Sequence, residues 1–150
     1  MAYTPIALPV TRTIIATAPW GIPITNAVNQ LGTDVTALQG TTTPTAWTAL
    51  TLQNGWTNYG SGTQVGQYRK IGDMVYIRAA LKAPGTATTI GNLPAGFRPA
   101  FQLEFPCSYY SGSRLICGVT VNGAGDVVAL DVVPVNALLS LSVIAFSITP

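Results

Sequence analysis

The 150-residue chain contains no histidine, so the side chain that most often serves as general base, metal ligand or triad member is absent. Five carboxylates remain: Asp34, Asp73, Glu104, Asp126 and Asp131. Asp73 and Asp126 sit in turn-forming sequence and Asp34 in a helical stretch. Glu104 and Asp131 fall within strand-like segments that a fold can bring together, as a glycosidase requires of its acid and nucleophile. Nothing flanking either residue points that way, and no nucleophile–base pair can be assembled. Gly60-Ser61-Gly62 lacks the Lys-Ser/Thr ending of a phosphate loop. Asn122 to Asp126 lacks the acidic spacing and final Glu of a calcium loop. The residues therefore predict a non-catalytic chain with no metal and no cofactor.

Cys107 and Cys117 each lie five residues from Gly112 in Ser111-Gly112-Ser113. A hairpin symmetric about that glycine places them directly opposite, at a cross-strand distance slightly longer than a disulfide prefers. In a cytoplasmic product the reduced form is the default, so the expectation is two adjacent thiols able to oxidise after release. Phe97, Tyr109 and Tyr110 stand beside turns, where aromatic rings can stack on sugars or peptides with little entropy loss. Packing in the core or between subunits is the competing use of these three rings.

Composition says how such residues must be carried. Only 8% of the chain is charged against 48% hydrophobic, far below the roughly 25% charge of ordinary soluble domains. A surface so poor in charge is best explained if other chains cover much of it; a secreted β domain with a neutral Thr/Ser face is the alternative. The net charge of +2 is spread without a basic cluster, which argues against nucleic acid. The first residues lack a basic segment followed by an apolar run, so synthesis in the cytoplasm is expected. Val127 to Ile148 is apolar but broken by Asp131, Pro134, Asn136 and three serines. It reads as strands, with no membrane insertion.

Four segments follow. Residues 1–23 hold Pro5, Pro9, Pro19 and Pro23, and proline both removes a donor and extends its predecessor; they predict an extended arm, whose Trp20 either packs back onto its own domain or, with Pro19 and Pro23, anchors the arm in a neighbouring chain. In residues 24–39, Ile24, Val28, Leu31, Val35 and Leu38 are spaced 4, 3, 4, 3. That is a short coiled-coil seam with Val at a and Leu at d, a pairing that leans towards two strands in parallel dimers. Two heptads are too few to override a larger head. Residues 40–45 are a linker, and residues 46–150 form a mostly β head. Strand candidates there run 47–52, 64–71, 74–82, 88–93, 101–110, 114–122, 127–135 and 138–148, separated by Asn-Gly, Gly-Asp and Gly-rich turns. This spacing predicts an antiparallel β-sandwich or jelly roll. In 74–82, Val75, Ile77, Ala79 and Leu81 share the inward face.

Three ordered motifs carry a resemblance: Leu52-Gln53-Asn54-Gly55-Trp56-Thr57-Asn58-Tyr59-Gly60, then Tyr68-Arg69-Lys70-Ile71-Gly72-Asp73-Met74-Val75-Tyr76-Ile77-Arg78, then Leu93-Pro94-Ala95-Gly96-Phe97-Arg98-Pro99. With the turn at 121–127, they resemble the C-terminal head domain of tailed-bacteriophage minor tail and tail-fibre proteins. Residues 18–29 look like the start of small minor tail proteins of actinobacterial phages. The resemblance implies a homotrimeric virion component, held by other phage proteins of tail or capsid, that presents its head to a host receptor such as a cell-wall glycan. Receptor-binding residues vary among such proteins, so the resemblance assigns none, and Phe97, Tyr109 and Tyr110 are candidate receptor contacts on their loop-edge chemistry alone. Tail fibres have long shafts, whereas about forty residues precede this head, so a capsid decoration protein held by its arm is the alternative.

Overall fold

A computed structural model describes residues 21–150 apart from Ala87 and Val143, with the side chains of 21–25 and 40–42 outside the described set. Pro19 and Trp20 of the predicted anchor lie outside the described residues, as do the side chains of Pro23 and Ile24. The chain divides into two compact units, the second running from Thr43 to Pro150.

The first unit contains helix α1, Gly21–Thr42, longer at both ends than the predicted 24–39. Pro23 falls in its first turn, where a backbone donor has no helical acceptor in any case, so proline is tolerated and the arm turns helical three residues early. Gly40 lowers helix stability by about 1 kcal/mol without ending the helix. Pro44 ends it instead, because the residue before a proline is driven out of the helical region. The predicted linker therefore shrinks by the residues up to Thr42.

In the second unit, alternation and turn chemistry produce eleven strands among the described residues: β1 Thr48–Ala49, β2 Thr57–Asn58, β3 Gln67–Ile71, β4 Met74–Arg78, β5 Ala80–Lys82, β6 Thr89–Asn92, β7 Leu103–Ser111, β8 Ser113–Val121, β9 Asp126–Ala129, β10 Leu138–Ser140 and β11 Ala145–Ser147. They form a four-stranded sheet, β1-β3-β4-β11, and a seven-stranded sheet, β2-β5-β10-β7-β8-β9-β6. Strand pairing is antiparallel throughout these ladders. The fold is the antiparallel β-sandwich that the turn spacing predicts.

The predicted strand 74–82 is one apolar alternation serving two sheets. Val75, Ile77, Ala79 and Leu81 are all buried, yet β4 belongs to the small sheet and β5 to the large one, with the change at Ala79. Its antiparallel partner, predicted as one strand over 138–148, breaks in the same way into β10 and β11. Hydrogen bonds from Ile77 N–H to the Ile144 carbonyl (3.0 Å) and from Leu141 N–H to the Ala79 carbonyl (3.0 Å) hold the paired ribbon through the bend. Strands that switch sheets in this way form the corners of a sandwich. Predicted strand 127–135 ends early, at Ala129: beyond it the Asp131 side chain accepts the Gly118 N–H at 2.8 Å, and the chain then turns at Pro134-Val135-Asn136-Ala137, where Asn136 takes a positive φ of 64°.

Between the sheets lies one core that includes Trp56, Ile77, Leu81, Ile90, Leu93, Val119, Val127, Leu139, Leu141 and Ile144. Trp56 enters it from the Asn54-Gly55 turn, whose φ values of 52° and 82° are those of a two-residue hairpin turn. Its indole N–H donates to Thr88 Oγ1 at 3.1 Å, so the buried ring leaves no polar atom unmatched.

Candidate functional site

On α1, Val28, Leu31, Val35 and Leu38 are 62%, 64%, 45% and 65% exposed. The a and d positions thus form a continuous apolar stripe on the helix surface. The opposite face is polar: Gln30 Nε2 donates to Asp34 Oδ1 at 2.8 Å, and the Thr33 and Thr36 hydroxyls donate back to the carbonyls of Asn29 and Gly32.

The three candidate contact rings do not converge. Phe97 lies in the loop before β7, while Tyr109 and Tyr110 lie at the far end of that strand. Nine extended residues separate those ends by about 30 Å. Phe97 packs edge-on against Tyr68, with centroids 5.0 Å apart. Lys70 caps it, with Nζ 5.4 Å from the ring and donating to the Gly96 carbonyl at 3.2 Å. Tyr109 is half-buried against the core. Tyr110 alone is exposed, opposite Arg114 across the hairpin and beside Leu138 on β10.

Cys107 and Cys117 are cross-strand partners in β7 and β8, both buried and both free thiols. Burial pushes Cys107 up to about 12, with the neighbouring Cys117 adding to the rise. Burial pushes Cys117 up to about 11, with the Asp131 carboxylate adding to it. Glu104 and Asp131 both lie beside Gly118. Asp131 Oδ2 accepts the Gly118 N–H at 2.8 Å, and a side chain at Gly118 would meet Glu104 Oε1. Both carboxylates are exposed on the open sheet. A shallow cleft of about 230 Å³ lined by Pro99, Ala100, Phe101, Leu103, Ser147 and Thr149 holds no ionisable side chain.

A different cluster forms on the outer face of the small sheet. The two-residue Gly72-Asp73 turn fixes the β3–β4 register, which pairs Arg69 with Tyr76 and Gln67 with Arg78. Alternation sends these four side chains to one face, away from buried Tyr68, Val75 and Ile77. Trp47, just before β1, joins them. The Arg78 guanidinium lies 3.8 Å from the Trp47 ring centroid and that of Arg69 lies 4.5 Å away, with Arg69 also 6.0 Å from Tyr76. Arg78 donates from Nε and Nη2 to Gln67 Oε1, at 3.1 and 2.7 Å. Arg69 Nε is sealed from solvent without a hydrogen-bond partner among the described residues, a cost of about 1–3 kcal/mol for a buried donor. The parity of Arg69, Tyr76 and Arg78 was readable from the Gly-Asp turn. The position of Trp47 was not, because it depends on the short β1 pairing.

No family model matches the chain, and no curated protein matches it. Among solved structures, the receptor binding protein (gp15) of Listeria phage PSA matches with a TM-score of 0.65 and 16% identity, over 86% of this chain and 79% of that one. The head domain of phage bIL170, described with the receptor binding domains of lactococcal phages, matches with a TM-score of 0.52 and 20% identity, over 68% of this chain and 96% of that one. At these identities the likeness is one of fold: the chain's fold is similar to those of these two phage proteins.

Proposed function

We propose that the chain is a non-enzymatic receptor-binding component of a bacteriophage tail, made in the host cytoplasm and carried on the virion, whose sandwich contacts the host surface. The observation that carries this reading is the shared fold with two phage receptor-binding proteins, one of them over 86% of the chain. The three head motifs in the sequence support it independently. In this reading it is a minor tail or short-fibre protein. Residues 1–23 attach it to other virion proteins, and the exposed stripe of α1 joins it to its own copies as a homotrimer.

Imaging virions with gold-tagged antibody against residues 46–150 tests the location. Gold at the tail end is the expected result. Gold over the capsid would overturn the tail reading in favour of a decoration protein.

A further inference from the structure

Arg69 and Arg78 place two cations on one indole, at 4.5 and 3.8 Å from its centroid. The guanidinium carbons are therefore no farther apart than those two distances together, inside the roughly 10 Å screening length of 0.1 M salt. Among the described contacts of Arg69 and Arg78 there are rings and an amide oxygen but no carboxylate. Of the four acids in the head, Asp126 is bound by Asn92 and Asn122, and Asp131 by the Gly118 amide. Glu104 is on the other sheet, and Asp73 lies in the turn beyond the Ile71–Met74 pair. Arg78 commits two of its five donors to a neutral amide oxygen. Arg69 has a sealed Nε with no partner among the described residues. Half-buried Trp47 and Tyr76 flank the cations with flat apolar surface.

We infer that the Trp47–Arg69–Arg78 face binds an oxyanion-bearing saccharide or polyol chain, a deepening that rests on the host-surface reading above. The guanidiniums would take the phosphate or carboxylate in charge-assisted hydrogen bonds, while the rings would pack against the sugar or polyol carbons.

The test is titration of the full chain with four polymers of matched length: poly(glycerol phosphate), polygalacturonate, neutral dextran and oligo(dT). Binding to one of the first two, weakened about tenfold or more in Arg69→Gln and Arg78→Gln, is the expected result; which of the two binds separates phosphate from carboxylate. The lysine variants Arg69→Lys and Arg78→Lys keep the charge and are expected to lose less. Unfolding temperature and oligomer mass are read on every variant. Dextran binding as tightly as the anionic polymers, oligo(dT) binding tighter than both, or anionic binding that survives the double Gln variant would overturn the inference. So would binding to neither anionic polymer, or a drop in oligomer mass showing that the face is a subunit contact. The host-surface reading fails separately, if purified chain does not bind whole host cells; cell binding untouched by the Gln variants sinks this inference alone.

Discussion

Cys107 and Cys117 face each other across β7 and β8, and burial raises both above the ordinary thiol value, to about 12 and about 11. A thiol with a raised folded pKa stays protonated in the native state after the unfolded chain has released its proton. The native advantage is therefore complete below about pH 8.5 and declines from there towards the folded values. Melting temperatures from pH 7.5 to 10.5 under reducing agent are predicted to fall more steeply for the native chain than for Cys107→Ala/Cys117→Ala. Parallel curves would contradict that. The same protonation makes both sulfurs poor nucleophiles at neutral pH, so alkylation of the folded chain is predicted to be slow. At this scale the cysteine pairing was legible because hairpin symmetry alone determines it. The Arg69–Trp47–Arg78 stack was not, because it needs a contact between strands distant in sequence.

At the scale of elements, the Asn122–Asp126 turn shows how tightly a connection can be specified. Asn122 Oδ1 accepts the N–H groups of Ala124 and Asp126, and Asn92 Nδ2 donates to Asp126 Oδ1 at 2.7 Å. Asn122 Nδ2, donating to Asp126 Oδ2 at 3.2 Å, and the Asn92 bond hold the Asp126 carboxyl below its ordinary range, with Arg98 nearby adding to the effect. Gly125 closes the turn at a φ of 90°, and a methyl group there would collide with the Leu93 carbonyl and the Arg98 side chain. Gly125→Ala is predicted to cost about 2 kcal/mol or more in urea unfolding; a change below about 0.5 kcal/mol, the range of neutral surface substitutions, would contradict the close packing. Strand count and alternation were readable from turns of this kind. The sheet switches at Ala79 and between β10 and β11 were not. A bent strand keeps the same alternation as a straight one, and only its two different partners reveal the bend.

For the whole molecule, low charge and exposed apolar surface belong together. Besides the α1 stripe, Tyr110 on β7, Ile116 on β8, and Leu130 and Val132 in the segment after β9 are exposed. An isolated helix with two heptads is marginal in water, and association of its copies would bury the stripe. Leu31→Pro is predicted to lower the mass by light scattering to that of a monomer while leaving the head's unfolding temperature unchanged. An unaltered oligomer would show that copies meet elsewhere. The β-sandwich and its mostly polar helix face were expected from composition and periodicity. The location of a host-contacting surface was not, since exposed side chains carry little periodic signal.

The most direct measurement of the central claim is an adsorption assay, in which host cells are saturated with purified chain before virions are added. The account predicts that the fraction of virions adsorbed falls as chain concentration rises. Undiminished adsorption at saturating chain, with the protein folded and oligomeric, would contradict a receptor-binding role.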